Sequence, residues 1–398
     1  MERQIFHIDL DSFFVSAEQV LNHDLLGKPV VVGGHPDSRG VVACASYEAR
    51  KFGLHAGMPI ATAHRLCPQT IFLPGNFSLY RDFSARFMDI LADFSPDLEP
   101  GGLDEAFLDL TGFEPLYGPT RETARRLKSR IRDELEITAS IGIATCKVVA
   151  KVASDFSKPD GLVEVAAGQE ISFLAPLPIK DLPGVGPKMQ EALKRFGVST
   201  IGQLAKLPVS LLKDQFGIHG EMIRRHANGI DDRKVKRYDT VKSISRETTL
   251  EQDTLDLHLL KATLKHLTER IGADLRLQER QARCVTLKLR YSDFDTITRS
   301  QTQKQPTDLD QVIFNVGSEL LDNCLSQRRH PIRLIGIGIS NLTGPEKQLN
   351  LLDTSSQKLA YLDQAIDQIR KKYGFSAIQT GQTLPIRNHL GHTEKHSR

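Results

Sequence analysis

The chain opens on an alternation. Phe6, Ile8 and Leu10 fall on one face of an extended segment, and His7, Asp9 and Asp11 on the other. Up to residue 165, short β-branched runs alternate with stretches whose apolar residues recur every three or four positions. The pattern predicts strands over 5–10, 30–32, 41–45, 107–110, 140–144 and 162–165, and helices over 13–21, 76–94, 120–136 and 147–155. Strands and helices alternating in this way build α/β layers. After Pro176-Leu177-Pro178 the pattern turns helical as far as residue 230 and is punctuated by Gly and Pro. A second α/β region follows, with strands over 285–291, 295–299 and 334–342 and helices near 255–278 and 309–325. A last helical period (Leu359, Leu362, Ile366, Ile369) predicts a segment packed back on the body, and 386–398 reads as a polar, frayed end.

Composition narrows the class. With 398 residues the chain holds roughly two to four domains at about 100–200 residues each. Hydrophobic residues make up 40% and charged residues 25%, and no run approaches the roughly 20 apolar residues of a membrane span. No apolar leader precedes the first strand, so neither secretion nor membrane insertion is expected. The five cysteines (Cys44, Cys67, Cys146, Cys284, Cys324) are odd in number and never spaced C-x-x-C, which indicates neither a zinc site nor a disulfide framework and fits a reducing cytoplasm. The net charge of +3 is unevenly placed: residues 178–240 carry 12 Lys and Arg against 7 Asp and Glu, leaving the rest net acidic. A basic middle suits a polyanion or a plain solvated surface equally well.

Two acidic clusters stand out. Asp9 and Asp11 end the first strand, two carboxylates that are costly together unless hydrated or bound to a cation. Asp11, like Ser12, reads as a cap of the following helix. The second cluster, Asp104-Glu105, follows the turn Pro100-Gly101-Gly102. Neighbours in a regular strand point to opposite faces, so these two converge only if the pleat is broken at the hairpin mouth. With Asp9 they offer hard oxygen ligands suited to magnesium.

The stretches His7-Ile8-Asp9-Leu10-Asp11-Ser12-Phe13-Phe14 and Gly102-Leu103-Asp104-Glu105-Ala106-Phe107-Leu108-Asp109 resemble the two acidic motifs of the Y-family translesion DNA polymerases, in the DinB branch. Four more stretches agree in family order: 39–42 with 46–53, 140–144, 150–155 with 158–161, and 242–249. The resemblance implies an α/β right-hand polymerase. Its ferredoxin-like palm would be 1–20 and 76–166, its small fingers 21–75 and its helix-hairpin-helix thumb 167–232. A linker (233–242), an α/β little finger (243–345) and a tail (346–398) would complete it.

It further implies that Asp9, Asp104 and Glu105, with the backbone carbonyl of Leu10, hold two magnesium ions. There a primer 3′-hydroxyl would attack the α-phosphate of a dNTP; no residue declares itself the general base. Tyr47, Arg50 and Lys158 match the family's triphosphate contacts, and Cys44 lies beside them. Phe14 matches the steric gate against ribonucleotides, while Phe13 either packs on the sugar or fills the core. The small side chains Ala43-Cys44-Ala45-Ser46 would lie over the nascent base pair, check its shape weakly and so permit low fidelity without proofreading.

Leu182-Pro183-Gly184-Val185-Gly186-Pro187-Lys188 resembles a helix-hairpin-helix turn opening a helix over 189–196. Gly184, Gly186 and Lys188 would grip duplex backbone there. Arg246, Lys288, Arg290 and Arg299 are the corresponding cations of the little finger, and Lys288 and Arg290 share a face by parity. Gln348-Leu349-Asn350-Leu351-Leu352 looks like a bacterial sliding-clamp peptide, with Gln348, Leu349, Leu351 and Leu352 as its contacts. The expected partners are thus primer-template DNA, a dNTP and a clamp, met by a monomer. Three positions depart from the family: Gly102 stands in place of Ser, Cys44 in place of Thr or Ser, and Cys146 in place of Asn. A silent scaffold would have lost the acidic ligands, and a nucleotide cyclase on a similar palm would need no helix-hairpin-helix.

Overall fold

The computed structural model describes residues 2–237, 241–344 and 354–386. It divides into two compact units, Met1–Asp239 and Thr240–Arg398.

In the first unit the elements run β1 (Ile5–Leu10), α1 (Phe13–Leu21), β2 (Val30–Val32), β3 (Cys44–Ala45), α2 (Tyr47–Arg50), α3 (Ile60–Leu66), β4 (Ile71–Leu73), α4 (Phe77–Ala92), β5 (Leu98–Pro100), β6 (Glu105–Asp109) and α5 (Glu114–Tyr117). They continue with α6 (Thr120–Leu135), β7 (Ala139–Ala144), α7 (Lys147–Phe156), β8 (Leu162–Glu164), α8 (Glu170–Leu174), α9 (Pro187–Lys194), α10 (Ile201–Lys206), α11 (Val209–Phe216) and α12 (Ile218–Ala227).

The main sheet has the order β5-β6-β1-β7-β8, with β1 antiparallel to both neighbours. Its alternation works as the sequence predicts. Phe6, Ile8 and Leu10 pack with Ala106, Leu108 and one face of α6 (Ala124, Leu127, Ile131, Leu135), while Ile5 and Phe107 meet α7 on the other side. Asn76 caps α4, its side chain accepting from Leu79 N–H at 3.2 Å, which sets where that helix turns in over the sheet.

A small sheet, β3-β2-β4, carries the segment before α4. Here one expectation fails. The predicted strand over 41–45 is reduced to Cys44–Ala45, because Val41 leaves the ladder to bridge Pro59 instead. Helices α8 to α12 close the unit around Leu193, Ile201, Leu204, Leu212 and Ile223.

The second unit comprises β9 (Ser243–Thr254), α13 (Leu257–Leu277), β10 (Gln281–Tyr291), β11 (Thr296–Thr307), α14 (Asp310–Gln327), β12 (Ile332–Thr343) and α15 (Thr354–Tyr373). Its strands form one antiparallel sheet, order β11-β10-β12-β9, with Val285, Leu287 and Leu289 turned toward α13 and α14. α15 does pack back, but only part of the predicted stripe turns inward: Leu359 and Ile366 are half-buried, whereas Leu362 is 54% exposed. The most buried positions are Asp363 and Arg370, with Asp367 half-buried beside them. These meet charges on α13: Arg276 bonds Asp367 at 2.6 Å, and Arg370 bonds Glu269 at 2.5 Å. All five cysteines are free, and no described helix is long and apolar enough to cross a membrane.

Candidate active site

Strand pairing assembles the acidic site. Asp9 stands directly opposite Glu105 in the β1–β6 ladder, and Leu10 N–H donates to the Asp104 carbonyl at 2.9 Å. β6 begins at Glu105, so Asp104 lies in the bend just before regular pleating starts. That break lets neighbouring residues sit at the same sheet end. On β7, Gly142 pairs with His7, and a Cβ there would stand 2.0 Å from the Ala150 carbonyl oxygen. Only glycine lets α7 lie so flat on the sheet. The close approach brings Lys151, Ser154 and Asp155 onto the face that bears His7, Asp9 and Glu105.

The carboxyls are electrostatically unequal. Asp9 is 7% exposed. Burial pushes its carboxyl up to about 7, with Asp104 and Asp155 adding to the shift, although Lys158 Nζ lies 2.8 Å away. Burial, and then Glu105, also raises Asp104. Glu105 goes the other way: the His7 imidazole, and then the Lys151 ammonium, hold it at about 2 against its own burial. His7 is fully buried, shares a 2.6 Å hydrogen bond between Nδ1 and Ser154 Oγ, and is lowered by desolvation. Burial disfavours the Lys158 ammonium, but Asp9 and Asp155 outweigh it and keep that group raised.

A buried carboxyl and a half-buried one that repel each other, beside a third, are a hard-oxygen donor set of the kind a divalent cation relieves. In the present arrangement lysines supply the positive charge, Lys158 on Asp9 and Lys151 on Glu105. Among the described residues no three acidic, His or Cys side chains converge as a finished metal cage. The donor types fit magnesium; the side chains would have to turn from lysine to metal.

Around this site the aromatic residues divide. Phe13, read as sugar contact or core, is core at 2% exposure. Phe14 keeps an accessible edge and stacks on Tyr80, centroids 4.3 Å apart. Phe77 meets both rings edge-on. Cys44 packs beside the backbone of Phe14 and Val15, and burial pushes its thiol up. The Arg50 guanidinium lies 4.6 Å over the Tyr47 ring, and its Nε donates to the Ala45 carbonyl.

Asp11 departs from its expected role. Ser12 is the N-cap of α1 and makes no side-chain cap bond, while the Asp11 carboxylate turns away from the helix into the fold. It accepts from Thr138 Oγ1, Ser140 Oγ, the Asp160 N–H and the Tyr47 hydroxyl.

The expected DNA contacts are placed unequally. Gly184 has φ 95°, a conformation that glycine alone takes freely, and its carbonyl meets His219 Nε2 at 3.0 Å. Gly186 is the N-cap of α9, with open space where a Cβ would be. α9 starts at Pro187, two residues before the predicted start, because Pro at the first helical position costs no hydrogen bond; Lys188 therefore lies in its first turn. A cleft of about 640 Å³ is lined by Lys151 and Asp155 on one side and by Lys180, Gly184 and Gly186 on the other.

In the second unit the four cations do not share one surface. Lys288 lies in a cross-strand row with Gly336 and Glu247 and pairs with Glu247 at 2.7 Å; Arg290, on the same face, bonds Thr296. Arg299 and Arg246 stand at the two ends of the row through Leu287 and Ile337, on the face covered by helices. Arg246 is held there by Asp274 at 2.6 Å. Gln348, Leu349, Leu351 and Leu352 lie outside the described residues.

Sequence reasoning missed Lys151, the structural part of His7, and Tyr80. Lys147, Lys151 and Ser154 form a polar stripe at helical spacing on α7, and Phe77, Tyr80, Phe83 and Phe87 an aromatic one on α4; both were readable signals.

Comparison with known proteins agrees with this geometry. The impB/mucB/samB family matches residues 8–155, its C-terminal domain 241–351, and the DNA polymerase-iota thumb domain 180–231. The DNA polymerase IV of Dehalococcoides mccartyi (strain CBDB1) is 50% identical over 386 residues, covering 97% of this chain and 99% of the relative. That of Desulfatibacillum aliphaticivorans is 40% identical, covering 95% and 96%. Among solved structures, a Y-family DNA polymerase chimera of Dbh and Dpo4 is 28% identical with a TM-score of 0.78, covering 86% of this chain and 99% of its own. DinB from Sulfolobus solfataricus is 29% identical with a TM-score of 0.58, covering 86% and 99%.

An acidic sheet end, an aromatic wall and a hairpin-bearing helical module are thus the parts of a right-hand polymerase. The chain belongs to the Y-family of DNA polymerases, in the DinB branch that contains DNA polymerase IV. It is a metal-dependent, DNA-directed DNA polymerase of the low-fidelity, translesion type.

Proposed function

We propose that Asp9, Asp104 and Glu105, with the Leu10 carbonyl, form the reaction centre for adding a dNTP to a primer 3′-end. The observation that carries this is the pairing of Asp9 with Glu105 while Asp104 is tied to Leu10. Two magnesium ions bound there would stabilise charge on the attacking and leaving oxygens of an in-line displacement. The chain's own side chains do the rest. Lys158, Arg50 and Tyr47 bind the triphosphate, an Arg fork gripping two oxygens and a Lys acting as a point charge. Phe14 occupies the space a 2′-hydroxyl would need. Small residues 43–46 leave the nascent pair loosely checked, which supports synthesis past damaged bases.

Gly184, Gly186 and Lys188 hold duplex backbone without reading sequence. Lys288 and Arg290 add phosphate contacts on the open face of the second sheet. Arg246 and Arg299 serve DNA only from its edges. Gln348, Leu349, Leu351 and Leu352 dock on a bacterial sliding clamp, and the enzyme works as a cytoplasmic monomer.

Primer extension by the wild type and by Asp104→Ala tests the central reading. Extension that vanishes in the variant, with primer-template affinity retained, supports it. Undiminished extension removes Asp104 from the centre, and a wild type without extension would favour the scaffold. A clamp pull-down with Gln348 and Leu352 changed to Ala tests the tail.

A further inference from the structure

Asp11 stands apart from Asp9, Asp104 and Glu105 in the fold, yet it is 2% exposed and its carboxylate is fully used. An ionised carboxylate offers about four acceptor positions. Thr138 Oγ1 and the Asp160 N–H each donate to Oδ2 at 2.8 Å; Ser140 Oγ at 2.8 Å and the Tyr47 hydroxyl at 3.3 Å donate to Oδ1. No cation pairs with it among the described contacts. The donors come from places far apart in the chain: the start of α2, the approach to β7, β7 itself, and the loop between α7 and β8.

Two of these donors lead to the triphosphate contacts. Tyr47 is one of them. Asp160 lies two residues beyond Lys158, in a loop pinned from its other side: the Asp160 carboxylate meets Lys128 at 2.9 Å and Arg132 at 2.5 Å, and Gly161 N–H donates to Ser140 Oγ at 3.2 Å. One anion therefore fixes the origin of both Tyr47 and the Lys158 loop. Its bonds are graded. Three are short, and the Tyr47 bond is the longest, so Tyr47 is the donor an incoming phosphate draws away at least cost.

We propose that Asp11 is a positioning residue of the nucleotide site, setting the Tyr47 hydroxyl and the Lys158-bearing loop at the separation a nucleoside triphosphate bridges, and ceding the Tyr47 hydroxyl when that triphosphate binds. The proposal rests on the assignment of Tyr47 and Lys158 to the triphosphate. It gives Asp11 no contact with substrate or metal, and it places the residue's effect in nucleotide affinity rather than in chemistry or DNA binding.

Single-nucleotide insertion by the full chain tests it, with kcat, KM for the dNTP and primer-template Kd measured separately. Asp11→Ala raises KM about tenfold or more, the scale of a lost hydrogen bond to a charged group, while kcat and DNA Kd stay within about threefold of wild type. Asp11→Asn, which keeps the shape but turns one acceptor into a donor, gives a smaller rise. Combined with Tyr47→Phe, Asp11→Ala adds less to KM than it does alone. Thr138→Val removes one donor and leaves the carboxylate, so it decides the matter if the Asp11 variants do not fold.

A wild-type KM in a folded Asp11→Ala, Asp11→Asn or Thr138→Val enzyme overturns the proposal. So does a parallel fall in kcat, DNA affinity and stability with KM unmoved, which marks a merely structural residue. If Tyr47→Phe and Lys158→Ala themselves leave KM unchanged, the triphosphate assignment falls, and this inference with it. If they raise KM and the Asp11 variants do not, the inference alone fails.

Discussion

Phe14 and Tyr80 stack with their ring centroids 4.3 Å apart and their planes inclined by 17°, and the Tyr80 hydroxyl donates to Glu18 at 2.7 Å. The ring assigned to sugar selection is thus backed by a second ring that is itself tethered to α1. With Phe14 as the proposed gate, ribose rejection would rest on stiffness as well as bulk. Phe14→Ala should raise ribonucleotide incorporation relative to deoxyribonucleotide by about 100-fold. Tyr80→Ala should raise it less, by letting Phe14 tilt. Competing rNTP and dNTP insertion on one template measures both, and unchanged sugar discrimination in Phe14→Ala would remove the gate from this residue.

The two hairpin glycines should separate stability from binding. Gly184 has φ 95°, so Gly184→Ala costs about 1–2 kcal/mol of stability through backbone strain. Gly186 has an ordinary extended φ and nothing within 4 Å of an added Cβ, so Gly186→Ala leaves the melting temperature unmoved. If backbone N–H groups of the hairpin approach a phosphate, that same methyl group weakens primer-template binding several-fold. Fluorescence anisotropy beside a thermal melt reads both quantities, and full affinity in Gly186→Ala would reduce the glycines to turn formers.

Arg276 is the centre of a buried acidic cluster. It bonds Asp310 at 2.8 Å and Asp367 at 2.6 Å and lies 3.5 Å from Asp363. Burial, and then Asp363, pushes Asp310 up to about 7 despite Arg276. Removing the cation leaves three carboxyls facing one another, so Arg276→Met should destabilise the second unit by about 3–5 kcal/mol. It should also release α15 to protease before the sheet unfolds. Limited proteolysis and urea unfolding check this, and a variant as stable as wild type would mean that the cluster is held by something other than its arginine.

His266 sets a pH dependence. It is buried, its Nε2 accepts from Arg270 at 3.1 Å, and it meets the Phe375 ring edge-on. Desolvation, and then Arg270, lowers it from 6.5 to about 4. The unfolded chain therefore takes up a proton that the folded one refuses. The contribution is complete above pH 6.5 and is lost as pH falls through about 4, reaching about 3 kcal/mol in full. His266→Gln keeps an acceptor for Arg270 but has no such titration, so its stability should fall less steeply than wild type between pH 6.5 and 4. Parallel slopes in urea titrations would refute the assignment.

Much of this was legible because it is local. Alternation in 5–11 gave the strand and its two faces, and the turn before Asp104 showed where the pleat breaks. Contacts between distant segments were not legible. Asp11 read as a cap because a cap bond lies within the next three residues, whereas its actual donors sit at 47, 138, 140 and 160. Parity along β10 put Lys288 and Arg290 on one face. Only the register with β11 and β12 shows that Arg299 and Arg246 belong to the other. The stripe of α15 held only for Leu359 and Ile366, because Arg276 and Glu269 supply charged partners that make Asp363 and Arg370 the most buried positions.

The facing of Asp9 and Glu105 across an antiparallel ladder has a consequence for evolution and for error. A slip of one residue between those strands would send Glu105 to the opposite side and drive Phe107 into the space of Ala106 and Leu108. On the proposed assignment of Asp9 and Glu105, the greasy residues that never meet substrate are the custodians of the chemistry. A chain that misaligns here loses its fold and its reactivity in the same event.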